Sequence, residues 1–205
     1  MTNSQSFETS GGLDELVLQA QNSQSAFGQL FDHFYPIIFA YCVRRLLLRA
    51  VAEDIASEVF VKVAGRIRSS EFSSVEHFRR WLFRIATNEI NSHLRKTQRR
   101  DEILQEAVRM GSIKSPIDFV DSHDKVDWSD VYSALSKLSD REQAIISLRY
   151  FANLAHDQIA EILDIQTGTV RVSLSRALGK LRDRLQSNSS GMKSPPETSS
   201  GGKTT

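Results

Sequence analysis

The 205-residue chain contains a single cysteine, Cys42. One thiol excludes an internal disulfide framework and suits a reducing, cytoplasmic compartment. No apolar run approaches the ~20 residues that a membrane-spanning helix needs. The Ser/Gln-rich start is not a signal peptide, so no membrane insertion is expected. The chain has no glycine-rich phosphate loop and no nucleophile elbow. Its five histidines are scattered, with no cysteines or carboxylates gathered around them at ligand spacing. No catalytic residue, metal or cofactor is therefore expected, and the protein does not read as an enzyme. Net charge is nearly absent too, at +1, which by itself would not suggest nucleic acid. What remains is ordinary for a packed core: 40% hydrophobic and 25% charged residues, enough for one or two small domains.

The near-neutral total hides an uneven distribution. Residues 26–100 carry 13 Lys/Arg against 7 Asp/Glu. Their flanks are acidic: residues 1–25 have 3 Asp/Glu and no Lys/Arg, and residues 101–126 have 6 against 3. One segment is thus clearly basic between acidic neighbours.

The stretch from Leu154 to Leu181, LAHDQIAEILDIQTGTVRVSLSRALGKL, reads as two helices and a short turn. Ile159, Ala160 and Leu163 form one apolar face of the first. Asp164 breaks the pattern, and Asp tolerates the left-handed backbone that a tight turn often needs. The second helix starts near Thr167, whose hydroxyl can cap it. Val170, Leu174, Ala177, Leu178 and Leu181 make its inward stripe, so Thr169, Val172, Ser175 and Arg176 point away. That outward face is polar and hydroxyl-rich, with Arg171 and Arg176 at its edges and no acidic residue from Gln166 to Arg182. Such a helix fits a DNA major groove, as the second helix of a helix-turn-helix does. A helical hairpin with a solvated basic face would look the same, and the rest of the chain has to decide.

All other strong signals are helical. Residues 1–12 and 187–205 are Gly/Ser-rich and predict disorder. A helix over 13–21 would bury Leu13, Leu16, Val17 and Ala20. A second, over 25–48, has Phe27, Leu30, Phe31, Phe34, Ile37, Ile38, Tyr41 and Leu48 in phase, with Pro36 at a turn or kink. Residues 52–66 place Ile55, Val59, Phe60 and Val63 inward and Glu53, Asp54, Ser57, Glu58 and Lys62 outward, with the acids in the first two turns. Residues 69–75 read as a loop. Residues 76–100 carry an apolar stripe of Phe78, Trp81, Leu82, Ile85, Ile90 and Leu94. Arg79, Arg80, Arg84, Arg95, Lys96, Arg99 and Arg100 lie mostly opposite, beside Asn88, Asn91, Ser92 and His93. Residues 101–126 turn acidic with weak periodicity and predict a linker holding a short helix near 103–108. A helix over 128–138 would bury Val131, Leu135 and Leu138. Ser139 to Glu142 is a capping box that opens a helix ending near Tyr150.

The order of these features resembles the extracytoplasmic-function sigma factors of bacterial RNA polymerase. AEDIASEVFVKV (52–63) is similar to the polymerase-binding helix of sigma region 2. FRRWLFRIATNEINSHLRK (78–96) is similar to its promoter-melting, minus-ten-reading helix. Residues 134–185 resemble region 4 throughout, including the Gly-Thr-Val at 168–170 that opens the recognition helix. The resemblance implies an all-α chain of two small helical domains: region 2 over 13–100, a flexible linker over 101–126, and a region 4 helix-turn-helix over 127–186. It implies a protein that binds polymerase core, directs it to promoters and helps melt DNA, with an anti-sigma factor as a further partner. Asp54, Ser57, Glu58 and Lys62 would meet the core. Arg84, Asn88, Asn91, Ser92, His93, Arg95, Lys96, Arg99 and Arg100 would meet the minus-ten element. Ser69, Ser70, Glu71, Phe72, Ser73 and Ser74 would form the loop that holds a flipped base. Thr167, Thr169, Arg171, Val172, Ser175 and Arg176 would read the minus-35 element. The chain departs from the family at Ser57, Thr87, Ser92, Ala155 and Arg171-Val172-Ser173.

The implied linker is long enough for this task. Two promoter elements about two and a half turns apart are separated by ~85 Å. A 26-residue linker reaches at most ~86 Å extended and averages ~28 Å as a coil. Domain bodies of about 25 Å each cover much of the rest. A stand-alone helix-turn-helix regulator would also explain residues 128–186, but it would leave the first domain idle. A sigma-like decoy would share every feature.

Overall fold

In the computed structural model the chain is described over residues 10–109, 135 and 138–191. Among these residues there are seven α-helices, one 3-10 turn and no strand. They form a front lobe of four helices and a back lobe of three.

Helix α1 spans Ser10–Ala20. It begins at Ser10, so residues 10–12 are helical, against the expectation of disorder. Helix α2 spans Gln24–Leu46, where the Ser23 hydroxyl accepts the Ala26 N–H at 3.2 Å as its cap. Pro36 lies inside this helix and does not end it. Its ring is exposed, so water can reach the carbonyl left without a partner one turn back. Ile37 and Leu48, expected inside, are exposed. The reason for Leu48 is local: Leu47 ends α2 in the left-handed region (φ 61°), which turns Leu48 out of the α2 register. Helix α3 then spans Arg49–Arg66. It starts three residues earlier than its periodicity suggests, so Glu53 and Asp54 fall outside its first turn.

After a 3-10 turn over Ile67–Ser69 comes helix α4, Val75–Arg109. Its start is held by two acceptors. The Ser74 hydroxyl takes the His77 N–H at 3.2 Å, and the Asp14 carboxylate of α1 takes the Val75 N–H at 2.5 Å. A carboxylate there also complements the helix dipole. The short helix expected near 103–108 is simply the last turns of α4.

The front core is rich in rings. Phe34, Phe78, Phe83, Leu30, Ile38, Leu82 and Ile90 are buried to 2% exposure or less. Phe78 meets Phe34 and Phe72 edge-on, each at 5.3 Å between centroids, and Tyr41 meets Phe83 in the same way. Such pairs add about 0.5–1.5 kcal/mol each beyond area burial.

The back lobe holds α5 (Asp140–Tyr150), α6 (His156–Leu163) and α7 (Thr167–Gly191). The expected capping box forms: the Ser139 hydroxyl accepts the Glu142 N–H, and the Glu142 carboxylate accepts the Ser139 N–H at 2.9 Å. The core is aliphatic, built on Ile145, Leu148, Leu154, Ile159, Val170, Leu174 and Ala177. Ile162 is buried where the pattern pointed to Leu163, and Leu178 is exposed. Helix α7 continues through residues 187–191, which were expected to be disordered. The helix expected over 128–138 lies outside the described residues, apart from Leu135 and Leu138.

The two lobes touch through buried apolar residues, which join their cores into one cluster, and through polar groups. Arg80 Nε pairs with Glu161 at 2.9 Å, with the N–H aimed off the carboxylate, so the contact is Coulombic. The Arg79 guanidinium donates to the Ala152 carbonyl, and Arg44 lies 4.3 Å over the Phe151 ring. A cleft of about 100 Å³ between them is lined by His77, Arg80, Trp81, Arg84, Glu161 and Ile162.

Candidate nucleic-acid and polymerase interfaces

The turn of the back lobe is set by one residue. Asp164 takes the left-handed conformation (φ 54°, ψ 51°), as an interhelical turn requires. Thr167 is the first helical residue of α7, so the capping position falls on Gln166, one residue before the threonine expected there. The Gln166 carbonyl accepts the Thr169 and Val170 N–H groups at 2.9 and 3.2 Å. At α6 the capping position is Ala155, which offers no side-chain acceptor. Gln158 supplies half a box by accepting the Ala155 N–H at 2.8 Å.

Burying Val170, Leu174 and Ala177 turns the opposite face of α7 to solvent. Arg171, Val172, Ser175 and Arg176 are exposed, and Thr167 and Thr169 are half-buried beside them. Val172 is 50% exposed, an apolar contact set among donors. Among the described residues no ion pair neutralises Arg171 or Arg176. The face can therefore offer hydroxyl and guanidinium donors to base edges and phosphates.

On α4 the exposed polar row is Arg84, Asn88, Arg95, Lys96 and Arg99. Asn91, Ser92 and His93 are half-buried beside it. The Asn91 Oδ1 accepts from Arg45 at 3.4 Å, and His93 lies 3.4 Å from the Thr97 hydroxyl. Arg100 is in the helix, but its side chain is outside the described set. Among the described residues no group of His, Cys, Asp and Glu could hold a metal.

The stretch from Ser69 to Ser74 is less open than expected. Phe72 is 6% exposed and packed between Phe78 and Trp81, so its ring belongs to the core and cannot receive a base. Trp81, expected in the core, is half-buried over it. Ser74 is engaged as the cap of α4. The hydroxyls of Ser69 and Ser70 bond back to the Arg66 carbonyl and that of Ser73 lies 3.4 Å from His77 Nδ1, which leaves Glu71 as the freest polar side chain.

On α3, Asp54, Ser57 and Glu58 are exposed, with the Ser57 hydroxyl bonded to the Glu53 carbonyl. Lys62 is exposed as well, but its ammonium is tied to Glu89 of α4 at 2.5 Å. Sequence reasoning also missed Val61, which is 73% exposed on the same face. Its signal was an apolar residue out of phase with Ile55, Val59 and Val63. Arg45 was missed as well: it is in phase with buried Ile38, Tyr41 and Cys42. Burial pushes the Cys42 thiol up to about 12, so it is not a nucleophile.

Two family models match the chain: "Sigma-70 region 2" over residues 30–100 and "Sigma-70, region 4" over residues 134–183. The chain is 31% identical over 176 residues to the ECF RNA polymerase sigma factor SigW of Bacillus subtilis. That match covers 81% of this chain and 92% of SigW. The chain is an ECF sigma factor. It is also 27% identical over 170 residues to the ECF sigma factor BldN of Streptomyces coelicolor, covering 82% of this chain but 63% of BldN. Among solved structures, the sigma factor RpoE of Bartonella quintana, in complex with the anti-sigma factor NepR, superposes with a TM-score of 0.61. It is 25% identical and covers 78% of this chain and 96% of that one. As a sigma factor the protein binds RNA polymerase core, directs it to promoters and helps melt DNA for initiation. Sigma factors are not enzymes, and no helix among the described residues is long and apolar enough to cross a membrane.

Proposed function

We propose that this sigma factor divides its work residue by residue. Asp54, Ser57 and Glu58, with Val61 at their centre, form the surface that docks on polymerase core. Lys62 reaches this surface only through its pair with Glu89. The row Arg84, Asn88, Asn91, Ser92, His93, Arg95, Lys96, Arg99 and Arg100 takes the minus-ten strand. Glu71 and Ser73 of the preceding loop meet the extruded base, and Thr167, Thr169, Arg171, Val172, Ser175 and Arg176 read the upstream element. The domain boundaries follow the same division, with residues 13–100 and 127–186 as working units. The observation that carries this reading is the unpaired, exposed donor face of α7 together with the exposed cations of α4.

The physical logic is a sum of modest terms. Exposed cations release counterions from the backbone and give salt-dependent affinity. An extruded base costs a few kcal/mol, so a site that holds it favours open DNA. No bond is made or broken by the protein. An anti-sigma factor in the cytoplasm is a fitting further partner, because the similar Bartonella protein is held by one. Run-off transcription with purified core on a genomic fragment library is the test. Start sites that appear only when the protein is added, and disappear with Arg176→Ala, are the expected result. A wild-type pattern from Arg176→Ala would end the assignment of α7.

A further inference from the structure

Arg45 lies in the last turn of α2 and is 2% exposed. A guanidinium stays charged at any pH a protein tolerates. Yet its Nε and Nη1 are buried with no hydrogen-bond partner, and no carboxylate among the described residues pairs with it. Its hydroxyl neighbours are bonded to one another, and none of them carries a charge to balance it. The Thr87 hydroxyl donates to the Phe83 carbonyl at 2.7 Å, so the Tyr41 hydroxyl must be the donor in its 2.9 Å bond to Thr87. Besides the neutral Tyr41 hydroxyl, the end of α2 offers Arg45 the partial charge of the helix dipole and no full counter-charge. A buried cation left this way is costly, and packing alone would be served better by an apolar residue of the same length.

On α4 it meets Asn91, whose Oδ1 accepts from Nη2 at 3.4 Å beneath the row assigned to the minus-ten strand, and within α2 the buried Tyr41 hydroxyl lies against its guanidinium. A guanidinium can only donate, so the amide oxygen of Asn91 must face inward. The amide nitrogen, which has no partner among the described residues, is then left for a ligand.

We propose that Arg45 is a buried positioning residue of the minus-ten surface, holding Asn91 as a pure hydrogen-bond donor toward an unpaired base while strand phosphates supply the counter-charge Arg45 lacks. This rests on the reading of α4 given above and sharpens it. The two-point Asn–adenine pair needs a free amide oxygen as well as the nitrogen. With Oδ1 held from below, Asn91 is set to read an acceptor-rich edge, that of thymine or guanine, over adenine.

The test uses holoenzyme reconstituted with polymerase core and a single-stranded DNA library randomised over about ten positions. The parent should prefer thymine or guanine over adenine at one position. Arg45→Met frees Oδ1, so that preference should fall roughly three- to tenfold at that position alone. The variant should melt no lower than the parent, because an unpaired buried charge has been removed. Asn91→Asp gives Arg45 its counter-ion, so it should raise Tm and weaken binding about tenfold. An unchanged base profile in Arg45→Met overturns the proposal. So does a lost preference that comes with a lowered Tm, since a structural role would explain both. The double variant Arg95→Ala with Lys96→Ala separates the two layers. If it weakens all sequences and lowers the salt slope while Arg45→Met changes nothing, only the role of Arg45 is lost. If it behaves as the parent, the α4 reading falls and this proposal with it.

Discussion

In the proposed division of work both lobes present a helix to DNA, but they build that surface in different ways. In the back lobe it is local. Once Val170, Leu174 and Ala177 are buried, the helical period alone turns Arg171, Val172, Ser175 and Arg176 outward. In the front lobe the surface is composite. Asn91 is held by α2 through Arg45, the start of α4 is capped from α1 by Asp14, and Lys62 of α3 is taken by Glu89. The cores differ in the same sense. The front lobe locks four helices with stacked and edge-on rings, while the back lobe packs three around aliphatic residues. On that reading a one-helix reading head tolerates a simple scaffold, whereas a surface that holds unpaired DNA draws on several elements at once.

The largest effect expected to test this contrast is Phe78→Ala. It should cost the front lobe about 3–5 kcal/mol. Calorimetry should show the front transition fall while the back transition stays in place. A single merged transition moving as one would show that the lobes fold together. Next comes Arg176→Ala, which should weaken binding to duplex upstream DNA by about 1–3 kcal/mol, read by gel shift. Single-stranded minus-ten binding should not change.

A smaller effect concerns Glu142. Burial would raise its pKa, but hydrogen bonds from Lys180 and Ser139 override that and leave it lowered. A lowered carboxylate contributes stability above its unfolded value, near 4.3. That contribution is lost as pH falls through the folded value. Acid unfolding of the back lobe should therefore be blunted in Glu142→Gln, which starts about 1 kcal/mol less stable at neutral pH. Identical acid profiles for parent and variant would contradict the assignment. The smallest effect is Glu161→Ala. Arg80 and Glu161 are 24% and 54% exposed, so their pair is worth under ~1 kcal/mol. Neither lobe's Tm should move, but the radius of gyration in solution should rise as the lobes part. A promoter of ~85 Å span demands such parting.

Much of the site was legible in the chain because helices repeat. The outward face of α7, the capping box at Ser139 and the left-handed Asp164 all follow from residues within one or two turns of each other. What was misread involved partners far apart in sequence or a break in register. Leu48 was counted with α2 because nothing nearby announces that Leu47 turns left-handed. Phe72 looked like a loop residue until Phe78 and Trp81 closed over it. Lys62 looked free until α4 brought Glu89 to it, 27 positions along the chain.

The sequence by itself determined the helical class, the order of the two units and the outward donor face of α7, because these depend on period, capping and local charge. Only the tertiary structure decided which polar groups remain available. Whether Asn91, Lys62 or Phe72 can meet a partner depends on which helix packs over it. Helix packing brings together residues that no local pattern couples, and a buried charge such as Arg45 acquires meaning only from what lies beside it.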